Sequence, residues 1–456
     1  MNSTDTIAAI ATAQAAGGIG IVRISGSDSV AIAEKIFVPV SGAKLTRSKG
    51  YRAYFGRVTD AGEAIDEAVC LIFRAPHSYT GEDVAEISCH GGLYITRRVL
   101  QAALDAGARP AEAGEFTKRA FLNGKLDLSQ AEAVMNMVSA QGAQAAKAAL
   151  CALDGALSQK IHAVAQDVVG AAAAIAAWVD YPDEDIEAVH LDKLRATFTA
   201  ARGELCALLA RFEAGQAVTE GVDTVIVGRP NVGKSTLMNL LSGTEKSIVT
   251  HIPGTTRDVV EQTVRLGDVV LHLSDTAGLR ETDNPVERIG VERAKQKMER
   301  AVLTLAVLDG SVPLTEEDIE LLRSCAGKLC IAVLNKADQG EAVREADVRQ
   351  YVPHVVRLSA KRGDGYDALC YAVTRVLGTA DFDPSAAMLA NARQRDCCRR
   401  AAEHLAEAIA AIDAGLTLDA VNVCADCCID ALLELTGEKA ADAVVQEVFS
   451  RFCVGK

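Results

Sequence analysis

One short stretch constrains the fold more than any other: Gly228-Arg-Pro-Asn-Val-Gly-Lys-Ser235, set between a β-branched run, Asp223–Val227, and a segment of helical periodicity. Strand, glycine-bearing loop and helix in that order let backbone N–H groups turn inward around a phosphate. Lys234 brings a positive charge to the β- and γ-phosphates. Ser235 offers a hydroxyl to Mg²⁺, and the helix N-terminus adds its dipole. Asn231, Val232, Gly233 and Thr236 complete the cradle. Further β-branched runs at Val269–Ser274, Leu303–Leu308, Leu329–Leu334 and His354–Leu358 alternate with helical patterns. That alternation predicts a mostly parallel sheet with helices on both faces.

The loop binds phosphate without choosing a base. Asn335-Lys336-Ala-Asp338 chooses: a carboxylate at Asp338 accepts from guanine N1–H and the 2-amino group, and adenine offers neither donor there. Ser359, Ala360 and Lys361 follow the next strand and are expected to close over the base. Asp275, Thr276, Ala277 and Gly278 follow the Val269–Ser274 strand. Asp275 is expected to hold Mg²⁺ through water, and the Gly278 N–H to sense the γ-phosphate. Between the two lies a loop running Thr250, His251, Ile252, Pro253, Gly254, Thr255 and Thr256, in which Thr256 is the better choice to complete the Mg²⁺ shell.

Hydrolysis needs a positioned water and a cation. Leu279 stands where Ras-like enzymes carry a glutamine, so another side chain must orient the water. Glu287 is the candidate, with helix capping as its competing role. Arg257, Arg280 or a bound K⁺ could supply the charge; Asn231 and carbonyls of Thr250–Ile252 offer oxygens to such an ion.

The rest of the 456 residues has two other textures. Residues 1–120 mix strands and turns: a first strand before Ala16, then Ile21–Ser25, Val69–Phe73 and Val84–Ser88, with a helix opened by Gly91 and Gly92 and running to Leu104. Leu126–Val218 contains a single proline, Pro182, and reads as long antiparallel helices broken at the acidic Asp180–Asp185 stretch; helix returns from Leu389 onward. The chain is therefore read as multidomain, α/β and α. An N-terminal α+β domain (1–122) precedes a helical bundle in two parts (123–218 and 381–456), interrupted by a Ras-like phosphate-loop GTPase domain (219–380). A net charge of −14 repels polyanions, so nucleic acid would be met through a local patch or a partner. The thirteen scattered cysteines, without a signal peptide, read as reduced cytosolic thiols. Cys397, Cys398, Cys424, Cys427 and Cys428 are expected to fill core space on helices rather than to bind zinc. The longest apolar run, Val168–Val179, is too short to span a bilayer, and no membrane segment is expected.

Several further motifs carry a family resemblance: Gly20–Gly26, Ser78–Asp83, His90–Gly92, Gly114–Leu128 and the terminal Phe449–Lys456 with its Cys-x-Gly-Lys ending. Together with an inserted GTPase unit, they make the chain resemble the MnmE (TrmE) family of tRNA-modifying GTPases along its whole length. The resemblance implies a homodimer whose N-terminal domain binds a 5-formyl- or methylene-tetrahydrofolate. Arg23, Glu82, Lys125 and Lys456 match the folate-contacting positions. It implies K⁺ held at Asn231, Thr250, Ile252 and Thr255, and it makes Glu287 the water-positioning group. Cys453 matches the cysteine of the terminal motif, either as a catalytic thiol or as a merely reactive one. It also implies an FAD-dependent partner, MnmG (GidA), with which an aminomethyl or carboxymethylaminomethyl group is placed on carbon 5 of a tRNA wobble uridine. A GTP-controlled binding switch, such as a ribosome-assembly factor, shares the GTPase motifs; the absence of a basic RNA-binding domain counts against it.

Overall fold

The computed structural model describes residues 5–180, 190–243, 261–267, 269–274, 301–380 and 382–455. Its first sheet contains β1 (Ile7–Ile10), β2 (Ile19–Ser25), β3 (Phe37–Pro39), β4 (Arg52–Asp60), β5 (Glu63–Phe73), β6 (Val84–His90) and β7 (Arg109–Pro110). The order is β3-β4-β5-β6-β2-β1-β7, antiparallel except for the parallel β1–β7 pair. Helices α1 (Ser29–Ile36) and α2 (Leu93–Asp105) pack with the sheet over a core that includes Val22, Ile24, Ile36, Phe37, Val58, Ile72, Ile87 and Val99. Side chains alternate across the pleat, so Arg23 falls on the other face, level with Glu86 and Leu71 on the paired strands. Helix α3 (Glu115–Leu122) follows.

All the strands expected in this domain are present, with β5 starting earlier than Val69. β4 was not among the expectations. Its Arg52, Arg57 and Asp60 interrupt the apolar signal, while Val58 is fully buried and Gly56 lies against the Phe37 ring, where a Cβ would sit 2.8 Å from ring carbons.

Among the described residues, five helices come next: α4 (Leu128–Ser139), α5 (Ala143–Leu153), α6 (Ala156–Asp180), α7 (Leu191–Ala210) and α8 (Phe212–Thr219). The expected break around Pro182 falls outside the described residues. The reading of Val168–Val179 as too short to cross a bilayer needs correction. The run lies in one continuous helix, and Ala156–Val179 is long and apolar enough by length and composition, with 39% of its most apolar window buried in the protein. The apolar run begins only after Asp167, but that residue is a single exposed charge that a helix carries without ending. Ile161, Val164, Val168, Ala172 and Ile175 form its buried stripe at helical spacing.

The second sheet contains β8 (Val222–Val227), β9 (Glu261–Leu266), β10 (Val269–Ser274), β11 (Leu303–Asp309), β12 (Cys330–Asn335) and β13 (His354–Arg357), in the order β13-β12-β11-β8-β10-β9. All neighbours are parallel except β9, which turns back on β10 as an antiparallel edge. Among the described residues, the α-helices of this region are α9 (Lys234–Gly243), α10 (Glu316–Ser324), α11 (Glu345–Arg349) and α12 (Tyr366–Val376). Ile226, Leu305 and Val333 serve the core on one face; Val225, Ala306 and Leu334 serve the other. Burial on both faces is why these strands read as unbroken apolar runs.

The chain ends in α13 (Ala392–Asp413), α14 (Leu418–Thr436) and α15 (Asp442–Ser450). Cys397, Cys398 and Cys428 are buried there as expected. Cys424 is half-buried and Cys427 exposed, so the core-filling role fails for Cys427, which lies on the outward side of its helix. The fold divides into two compact units, Met1–Met135 with Ser158–Leu194 and Glu407–Lys456, and Asn136–Leu157 with Arg195–Ala406.

Candidate functional site

β8 delivers the chain into the phosphate loop, and the loop's backbone explains its composition. Gly228 (φ 153°) and Gly233 (φ 95°) occupy conformations that favour glycine, and Asn231 (φ 62°) is left-handed, a state asparagine tolerates. A Cβ on Gly228 would run into the Val307 carbonyl of β11, and one on Gly233 into the Asn335 amide. Lys234 Nζ donates to the carbonyls of Gly228 at 2.9 Å and Arg229 at 2.7 Å. Ser235 and Thr236 are exposed on the first turn of α9.

Asn335 ends β12 and is only 2% exposed. Its Nδ2 donates to the Val232 carbonyl at 2.8 Å, and its Oδ1 accepts from the Ala360 N–H at 2.9 Å. One buried amide therefore ties the phosphate loop to the Ser359–Lys361 loop. Lys336 is left-handed (φ 63°), and its Nζ reaches Asp309 Oδ2 at 2.7 Å. Burial would raise the Asp309 pKa, but the Lys336 ammonium and Ser311 hold its carboxyl below the usual range. Asp338 accepts from Ser359 Oγ at 2.7 Å, and this bond holds its carboxyl below the ordinary value. Gly233, Thr236, Asn335, Lys336, Asp338, Ala360 and Lys361 line one cavity of about 140 Å³. Gln339 also lines it and was absent from the sequence reading. A planar base held between the Asp338 carboxylate and the 359–361 backbone, with its phosphates over Gly233, suits this lining.

Thr250, His251, Ile252, Pro253, Gly254, Thr255, Thr256, Asp275, Thr276, Ala277, Gly278, Glu287 and Lys456 lie outside the described residues.

A second polar cluster occupies the N-terminal domain. Arg23 Nε donates to Glu86 at 2.7 Å, and its guanidinium lies 5.4 Å from the Tyr79 ring centre and 5.5 Å from that of Phe116. Glu82 accepts from Ser25 Oγ at 2.7 Å and from Arg119 Nη1 at 3.1 and 3.2 Å. Arg119 also donates to Asp5 Oδ1 at 2.7 Å and to Glu115 at 2.9 Å. Burial raises the Tyr79 pKa, and its hydroxyl pairs with Thr117 at 2.9 Å. Lys125 Nζ donates to the Pro76 carbonyl, and its stem lies against Gly81, beside Glu82. The structure thus sets Glu82 and Lys125 around the Ser78–Asp83 loop, with Arg23 under Tyr79 of the same loop. Arg119 was missed; its i,i+4 spacing from Glu115 was the available signal. Cys453 is exposed, its carbonyl accepts from the Gly114 N–H at 3.4 Å, and Val454 bridges to Ala113.

Comparison with known proteins bears on the whole chain. Residues 6–125 match the model of the GTP-binding protein TrmE N-terminus, and residues 128–453 match that of the MnmE helical domain. The tRNA modification GTPase MnmE of Symbiobacterium thermophilum is 45% identical over 99% of both chains; that of Geobacter sulfurreducens is 42% identical over 99% of both. Among solved structures, a single-residue variant of Aquifex aeolicus Era bound to GDP and AlF4⁻ is 27% identical, covering 40% of this chain and 66% of its own, with a TM-score of 0.28. The G domain of the T. maritima FeoB iron transporter is 24% identical, covering 34% and 98%, with a TM-score of 0.27. With both family models matching and relatives 42–45% identical over 99% of their length, the chain belongs to the MnmE family of tRNA modification GTPases.

Proposed function

We propose that the chain is a K⁺-stimulated GTPase that acts as a homodimer with an FAD-dependent MnmG (GidA) partner to place a carboxymethylaminomethyl or aminomethyl group on carbon 5 of the wobble uridine of certain tRNAs. The observation that carries the nucleotide half is the Asn335 amide, which joins the phosphate loop to the loop beside Asp338. In this reading the loop amides of Asn231–Thr236 grip the phosphates, Lys234 turns from the loop carbonyls to the β- and γ-phosphates, and Asp338 reads guanine. Water attacks the γ-phosphorus, positioned by Glu287, and the β–γ bridging oxygen leaves with GDP.

The residues present fit the implied ions. Mg²⁺ would take the exposed hydroxyl of Ser235, with Thr256 and, through water, Asp275. K⁺ would take Asn231, an exposed side chain at a left-handed position of the loop, with Thr250, Ile252 and Thr255. When bound, these ions supply positive charge to the phosphate oxygens. A tetrahydrofolate, the one-carbon source, fits the cluster of Arg23, Glu82 and Lys125, with Lys456 from the tail; the Tyr79 ring offers a flat wall for the pterin. Cys453 lies on the tail that ends at Lys456 and is the candidate thiol of the modification site. The homodimer reading draws on apolar side chains left open on the first sheet, Phe55 at 56% and Val38 at 57% exposure. The working domains are 1–122, 123–218 with 381–456, and 219–380.

The test is steady-state GTP hydrolysis in matched K⁺ and Na⁺ buffers. The rate is expected to rise about tenfold or more in K⁺, and Asn231→Ala to abolish the difference. Equal rates in the two salts would remove the cation from the reading.

A further inference from the structure

The phosphate-loop pattern demands glycine, lysine and serine, and leaves the second position open. Here that position is Arg229, whose Nε donates to Asp318 Oδ1 at 2.7 Å. Asp318 is only 1% exposed and stands third in α10. Its other oxygen, Oδ2, accepts from the N–H and the hydroxyl of Thr315, both at 3.0 Å, and so closes the capping box of the helix. One buried carboxylate thus serves two separate purposes: one oxygen caps α10, and the other holds the loop. On the loop side, Arg229 contributes its carbonyl to Lys234 Nζ at 2.7 Å, beside that of Gly228. Anchoring the Arg229 side chain therefore limits rotation of the peptide that orients the phosphate-binding lysine.

We infer that Arg229 and Asp318 are positioning residues for GTP hydrolysis: an ion pair, half-buried at Arg229 and buried at Asp318, that pins the phosphate loop to α10 and sets the resting place of Lys234. The pair touches no phosphate itself. Its geometry favours nucleotide binding over the chemical step, because the loop it holds contacts ground state and transition state alike. The inference rests on reading Gly228–Ser235 as the phosphate loop.

The experiment uses the full chain, with a fluorescent GDP analogue for affinity and steady-state hydrolysis for KM and kcat. Arg229→Met is expected to weaken GDP binding about tenfold and raise KM by about as much, with kcat within about twofold of the parent. Arg229→Lys keeps the charge but loses the fork, and should fall between the two. Asp318→Asn keeps an oxygen for Thr315 but turns a donor towards Arg229, and should match Arg229→Met. The double variant should be no worse than either single one. Thr315→Ala removes the helix cap and leaves the ion pair; it should lower the melting temperature without weakening GDP binding. Parental affinity in Arg229→Met, or an equal affinity loss in Thr315→Ala, would overturn the assignment. Lys234→Ala separates the two levels: parental GDP affinity in that variant would discard the phosphate-loop reading itself, whereas lost affinity there with an unaffected Arg229→Met discards only the pin.

Discussion

Glu82 and Asp338 are both carboxylates expected to read a flat nitrogen heterocycle, yet the protein holds them in opposite ways. Glu82 is tied to the Arg119 guanidinium, which is itself shared with Asp5 and Glu115, so three acids surround one cation in a largely buried setting. Asp338 accepts from the neutral hydroxyl of Ser359 at the rim of a cavity, with Arg362 and Lys361 acting on it at longer range rather than pairing with it. The first arrangement spends its charge on holding the N-terminal domain together; a ligand there must use the lone pairs that Arg119 and Ser25 leave. The second keeps its charge for the ligand. Removing the charge partner should therefore unfold one region, while changing the acid should merely re-address the other.

The largest effect is expected from Arg119→Ala. It takes the guanidinium away from Glu82, which keeps the neutral Ser25 hydroxyl, and leaves Glu115 with Arg109 alone, at a cost of about 3 kcal/mol to the N-terminal fold. Denaturant melts followed alongside GDP affinity check this: stability should fall while nucleotide affinity at low denaturant persists. A parental melt would mean that the cluster is held by something other than Arg119. Next in size is Asp338→Asn. The amide turns a donor towards the guanine N1–H, so GTP should bind about a hundredfold more weakly and xanthosine triphosphate should gain, with the melt unchanged. Competition titration with the two nucleotides decides it, and retained guanine preference would contradict the carboxylate's role.

This contrast also marks how far the sequence could be read. The phosphate loop and Asn335–Asp338 were legible because each is a contiguous motif whose spacing is dictated by the ligand. The inner strands β8, β11 and β12 were legible because burial on both faces leaves them mostly apolar, with their few polar residues near the ends. β4 and the edge strand β9 were not, since charges on their open faces break the pattern. Asn335 was singled out for the base, yet in the fold it also spans 103 positions to the Val232 carbonyl; the Arg229–Asp318 pair spans 89. No local spacing announces such partners. Two of the acids around Arg119, Asp5 and Glu82, were hidden as its partners for the same reason: Asp5 and Arg119 are 114 positions apart and meet only once β1 lies in the sheet.

Acid pH offers the finest test of the difference. The Arg109 bond holds Asp5 below its ordinary 3.8; burial would raise Glu115, but Arg109 and Arg119 hold it below 4.5. Groups depressed on folding add stability that is complete above those ordinary values and drains away as pH falls through the folded ones. Asp5 is 40% exposed and adds little, so Glu115, at 9%, should dominate. Denaturation midpoints measured from about pH 6 to about pH 3 should be flat at first and then decline below about pH 4.5. Glu115→Gln should start lower and decline less steeply, because it has no proton to take up. Parallel acid limbs in the two proteins would show that Glu115 is not held by its arginines in solution, and the supposed contrast with Asp338 would then rest on Glu82 alone.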